Sequence, residues 1–186
     1  MQNRSDSDSI TVSATWASTA GRLTFALSLL MSCAAANAVL PAAVDVELKA
    51  IADVCREVGG KPDVSGATLR ADLTADGTLD YVVDVGAARC EGAASIYGDR
   101  EKGVSIFVTD AKGKAFKVFS DSSFSVRLET AGKASKLWLT VMGRSCGKAP
   151  ARDFASENFC ERALRWNAKA RTFDYAPIST VRQLGR

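Results

Sequence analysis

Residues 44–58 read VDVELKAIADVCREV, and Gly59 and Gly60 follow at once. Val44, Leu48, Ile51, Ala52, Cys55 and Val58 recur at i, i+4, i+7, i+8, i+11 and i+14, which is one apolar stripe along a helix of 3.6 residues per turn. The two glycines are a C-terminal stop, and Pro62 just beyond cannot continue the helix. Downstream the apolar period changes to two. Residues 67–73, 79–85, 104–109, 115–119, 124–129, 137–142, 162–166 and 172–175 read as short strands, separated by Gly, Asp, Asn or Lys-Gly turns. Residues 110–113 (DAKG) and 167–170 (NAKA) read as hairpin connections. Successive short strands with tight turns predict an antiparallel meander, and a sheet with one polar face needs a cover for the other. The expectation is an α+β fold: the N-terminal helix packs as a lid on one face of a mainly antiparallel β-meander.

Outward from the helix toward the start of the chain, Arg22 precedes a short apolar run, residues 23–31 (LTFALSLLM), and small residues then lead to Ala36-Asn37-Ala38. That order is a secretory signal with an A-x-A cleavage site, so residues 1–38 are expected to be removed and residues 39–186 to form one β-rich periplasmic or secreted domain. The run is too short to span a bilayer, which takes ~20 apolar residues. Leu30-Met31-Ser32-Cys33 resembles a lipobox, so the alternative is a lipoprotein anchored through Cys33.

After processing, four cysteines remain: Cys55, Cys90, Cys146 and Cys160. An even number in an exported chain predicts two disulfides. The sequence-local pairing, Cys55 with Cys90 and Cys146 with Cys160, needs the least topological assumption. No pair has the C-x₂₋₄-C spacing of a zinc site. Two long irregular stretches, 87–103 and 144–160, contain or are bounded by these cysteines. Loops held on a rigid sheet are where binding residues concentrate, which makes Ser145, Arg152, Ser156 and Asn158 candidates for partner contact.

The 186 residues contain no histidine, which removes Ser-His-Asp and Cys-His catalysis and the commonest general base at neutral pH. Gly-rich phosphate loops and nucleophile elbows are also absent. Glycoside chemistry needs two carboxylates and no histidine, and Asp84 and Glu91 are the nearest pair, so the expectation is a non-enzymatic protein. From 39 to 100 there are 6 Lys/Arg against 11 Asp/Glu, and from 144 to 186 there are 9 against 4. The basic residues alternate with apolar ones at strand spacing, unlike the dense stripe that nucleic acid requires.

One segment combines residue type and spacing into a ligand pattern. Asp72-Leu73-Thr74-Ala75-Asp76-Gly77-Thr78-Leu79-Asp80 places Asp at 1, 5 and 9 and Gly at 6, ahead of the strand Tyr81-Val82-Val83. This resembles the D-x-[DN]-x-D-G-x-x-D calcium loops of FG-GAP repeats and EF-hands. The resemblance implies Asp72, Asp76 and Asp80 as side-chain Ca²⁺ ligands, with Thr74 at position 3 and the Thr78 carbonyl. Thr74 stands where that family has Asn or Asp, and Val83 stands where an EF-hand has its bidentate Glu, so the expected affinity is weak, ~10⁻⁴–10⁻³ M. The helix ending in Gly-Gly-Lys-Pro, the D-x-x-x-D-G-x-x-D-Y-V-V segment, Cys-Glu-Gly-Ala (90–93) and Cys-Glu-Arg-Ala-Leu-Arg-Trp-Asn (160–167) together resemble uncharacterised exported proteobacterial proteins. The expected function is a binding or structural module of the cell envelope, engaging an unknown envelope protein or ligand; the alternative is a secreted inhibitor of a lysozyme or protease.

Overall fold

The computed structural model describes residues 39–98 and 100–184. Residues 1–38, with the Ala36-Asn37-Ala38 site and Cys33, lie outside the described residues. Helix α1 spans Ala42–Glu57 and buries Val44, Leu48, Ile51, Ala52 and Cys55. Asp45 in the first turn and Arg56 in the last complement the helix dipole. Val58 departs from the predicted stripe. It sits after the last helical turn and is 54% exposed, because the chain turns away through Gly59 at φ +79°, a backbone conformation that favours glycine.

Eleven antiparallel strands follow among the described residues. They are β1 (Lys61–Asp63), β2 (Thr68–Ala71), β3 (Asp80–Asp84), β4 (Arg89–Glu91), β5 (Lys102–Thr109), β6 (Ala115–Ser123), β7 (Ser125–Ala131), β8 (Ala134–Met142), β9 (Phe159–Asn167), β10 (Thr172–Tyr175) and β11 (Arg182–Gln183). The α+β class, the helix-on-sheet packing and the antiparallel pairing match the expectation, and the strands divide between two sheets and a ribbon rather than forming one sheet. Strands β2-β3-β5-β6 make one sheet, β10-β9-β8-β7 with β11 on β9 make a second, and β1-β4 make a separate ribbon.

The reason lies in β3 and β5. Tyr81-Val82-Val83 and Ile106-Phe107-Val108 are apolar at consecutive positions, so both faces of the first sheet are buried. Tyr81, Val83 and Phe107 pack with Val44, Leu48, Ile51 and Cys55 of the helix. Val82, Val104 and Ile106 pack on the other side against Leu137, Leu139 and Leu164 of the second sheet. The molecule is therefore layered as helix, sheet, sheet. The outer face of the second sheet is closed by charge rather than by another element. Trp138 is 4% exposed beneath Arg182, whose guanidinium lies 3.8 Å from the ring centre, while Arg127 and Arg182 pair with Glu129 and Glu161.

Both disulfides form in the predicted pairing, Cys55–Cys90 and Cys146–Cys160, each with Cα atoms 5.7 Å apart. The first ties α1 to β4. Gly60 lies against it, and a Cβ there would fall 2.3 Å from the Cys90 sulfur, so only glycine fits. The stretch 87–103, expected to be irregular, contains β4 and a short 3₁₀ turn, Ala94–Tyr97, whose Tyr97 hydroxyl donates to the Ile51 carbonyl of the helix. No helix among the described residues is long and apolar enough to cross a membrane.

Candidate functional site

The loop between β2 and β3 carries four of the five residues of the calcium pattern, and the fifth, Asp80, opens β3. Asp72 at its start accepts through Oδ1 from the Thr74 and Ala75 amides (3.2 and 2.7 Å) and through Oδ2 from Gly77 N (2.9 Å). Asp76, exposed at the tip, accepts from Thr78 N at 2.7 Å. Gly77 at φ +85° and Ala75 at φ +66° make the sharp turn that brings these amides round. Asp80 is wholly buried and accepts from Leu73 N and from Thr109 N of β5, both at 3.0 Å. Burial pushes its carboxyl above the usual range, against the two amides, and the neighbouring Asp76 and Asp72 charges add to the rise. The Thr74 hydroxyl is buried without a hydrogen-bond partner. Among the described residues no group of three or more acidic, His or Cys side chains is arranged to hold a metal ion.

The second loop runs from β8 to β9. Its covalent closure is Cys146–Cys160, and its internal brace is Glu157, 9% exposed, which accepts from Ala151 N and Asn158 N at 3.0 Å each. Gly143 N donates to the Asn158 carbonyl, and Asp153 caps a short 3₁₀ turn, Phe154–Ser156, by accepting from Ser156 N at 2.9 Å. Both acids of the loop therefore face its own backbone. Its cations face outward: Arg144, Lys148 and Arg152 are exposed, and none has a carboxylate partner among the described residues.

Phe154, 40% exposed, forms a trio with Phe124 and Phe159 at centroid distances of 4.9–5.8 Å, and the Arg100 guanidinium lies 4.3 Å over its ring. Of the four residues chosen from sequence, Arg152 is exposed two positions from Phe154, Ser156 belongs to the capped turn, and Ser145 and Asn158 are half-buried. Phe154, Arg100 and Glu157 were not among them. Two phenylalanines, Phe154 and Phe159, inside a polar, disulfide-closed stretch were the available signal for Phe154. Arg100 lies in the other irregular stretch, 87–103, and nothing local ties it to Phe154.

The two carboxylates considered for glycoside chemistry serve local structure. Asp84 ends β3 and accepts from Gly86 N, with its carboxyl pushed up by burial, and Glu91 is exposed on β4 beside Lys61 at 3.8 Å. No family model, curated protein or solved structure matches this chain.

Proposed function

We propose that this chain is an exported, non-enzymatic binding module of the bacterial envelope that engages its partner through the loop at 144–160. The observation that carries the reading is the pairing of Phe154 with Arg100 on a loop closed by Cys146–Cys160 and braced by Glu157. Aromatic and arginine side chains held rigid before contact lose little entropy on binding, and such residues dominate interface energetics. The outward cations favour an acidic partner surface.

The test is site-specific photocrosslinking in a producing bacterium, with a photoreactive residue at Phe154 and, as a control, at Asp76. The expected result is one discrete adduct from position 154 that disappears with Arg100→Glu. Equal labelling from both positions, or none from 154, sinks the reading. The alternative is a secreted inhibitor of a lysozyme or protease, in which the rigid loop occupies the enzyme's cleft.

Calcium belongs to the same proposal as a brace of the 72–80 loop. Its support is the buried, partnerless Thr74 hydroxyl at a predicted ligand position, together with the exposed Asp76 carboxylate. Asp80 has both oxygens committed to amides, one of the loop at Leu73 and one of β5 at Thr109, so the ion would rely on Asp72 and Asp76 and bind weakly.

A further inference from the structure

Helix α1 and the β1–β2 segment do not close on one another completely. Between them lies an open groove of about 380 Å³, near the lower end of the range for small-ligand sites. Asp45, Leu48, Lys49, Ala52 and Arg56 line one wall as a single stripe, and the eleven helical rises from Asp45 to Arg56 give a trough roughly 16 Å long. Leu48 and Ala52 on this wall and Val64 opposite make it apolar. Its charge is one-sided: the lining carries Lys49, Arg56 and Arg70 against a single acid, Asp45.

Lys49 pairs with Asp45 at 2.7 Å, and Arg56 pairs with Asp53, but these are exposed pairs along the helix, the kind that contribute little and exchange readily with water. Arg70 has no carboxylate partner among the described residues, and its guanidinium lies 5.5 Å from the centre of the Tyr81 ring. A narrow apolar trough with cations on long stems at its rim suits one kind of occupant. An extended alkyl chain lies in the trough, while the rim cations hold an anionic head at the water boundary.

We infer that this groove binds a single-chain amphiphile with a carboxylate head, of medium-chain fatty-acid type. The site is separate from the Phe154 loop, so each claim can fail alone. The probes are sodium decanoate, decanol and decyltrimethylammonium, each below its micelle concentration, added to the purified protein with both disulfides formed. Amide chemical shifts locate the binding and give the dissociation constant.

Decanoate is expected to move the amides of residues 45–56 and 64–70. Affinity should rise up to about fourfold per added methylene from hexanoate to decanoate, the factor for a CH₂ leaving water. Decanol should bind more weakly and the cationic probe not at all. Arg70→Glu should weaken decanoate about tenfold. Ser65→Trp, at an exposed position on the lining, should block the trough without touching a cation, whereas Lys169→Glu, the same charge change elsewhere, should have no effect. The inference is overturned if decanoate moves none of these amides, if the cationic probe binds as well, or if Lys169→Glu weakens binding as much as Arg70→Glu.

Discussion

The loops at 72–80 and 144–160 solve one problem in two ways. Each is long, polar and built round a buried carboxylate that accepts two backbone amides at 3.0 Å: Asp80 from Leu73 and Thr109, Glu157 from Ala151 and Asn158. The difference is where those amides lie. Asp80 opens β3 and accepts from Leu73 of the loop on one oxygen and from Thr109 of β5 on the other, so it fastens the loop to the first sheet. Both amides on Glu157 belong to the loop itself, so that carboxylate shapes the loop without attaching it, and attachment falls to Cys146–Cys160. A loop held by a carboxylate of the sheet needs no covalent tie, whereas a loop that only folds on itself does.

The sharpest way to break this comparison is Asp80→Ala. Two buried amides lose their acceptor, each at about 1.5–3 kcal/mol when the acceptor is charged, so the expected loss is about 3–6 kcal/mol in urea unfolding. A loss under 1 kcal/mol would mean that the Thr109 contact does not anchor the loop. Replacing Cys146 and Cys160 together by Ser should cost about 2–4 kcal/mol, since the bridge closes a loop with a sequence separation of 14. Glu157→Gln should cost less, about 1–2 kcal/mol, because the amide keeps one acceptor and the disulfide still holds the ends. Its larger effect should be on Phe154, read as lost crosslinking from that position. If Glu157→Gln destabilises as much as Asp80→Ala, the distinction between fastening and shaping fails.

Much of this contrast was legible in the sequence. The apolar stripe from Val44 to Cys55, the period-two strands and the disulfide pairing follow from local pattern and cysteine spacing, and local physics governs them. What could not be read is long-range. Whether β3 and β5 are covered on one face or two depends on a second sheet formed by residues 125–183, and no local period encodes that packing. Likewise Asp80 shows its spacing from Asp72 and Asp76, which suggests a ligand, but its bond to Thr109 lies 29 residues away. Arg100 over Phe154 is equally invisible, because it joins segments that only the folded chain brings together.

Acidity should separate the two halves of the molecule without any mutation. Asp80 and Asp84 have carboxyls raised by burial, so their ionised forms disfavour the fold. As pH falls from 7 toward the ordinary carboxylate value of about 4, these groups protonate more readily in the folded state, and stability should rise. Glu129 and Glu161 are held below the usual range, by hydrogen bonds from Arg182 and Arg127 respectively, so their contribution is present above the ordinary value and is lost as pH falls below it. The expected profile is a stability maximum on the acid side of neutrality. Asp80→Asn should flatten the gain on the acid side of neutrality, and Glu129→Gln should leave it. A profile that falls steadily from pH 7 downward in the wild type would contradict the assignment for Asp80.

The smallest expected effect is that of calcium, and it decides whether the 72–80 loop is more than a capped turn. Three carboxylates near one another repel unless screened, and here the screening comes from backbone amides: three on Asp72, one on Asp76 and two on Asp80. An ion entering the loop competes with those amides and cannot recruit Asp80 without releasing Leu73 or Thr109. A dissociation constant near 10⁻³ M follows from so incomplete a ligand set, and 5 mM Ca²⁺ would then stabilise the fold by about 1 kcal/mol through mass action. The measurement is thermal unfolding in 5 mM CaCl₂ against EDTA at matched ionic strength, with Mg²⁺ as a second control and Asp76→Asn beside the wild type. Asp76 is the informative position because its side chain accepts a single amide at the exposed tip, so its loss removes a ligand while the Asp72 and Asp80 anchors stay. A Ca²⁺-specific rise in the wild type that vanishes in Asp76→Asn supports the site. An absent shift, or one that Asp76→Asn shares, leaves the loop held by its amides alone.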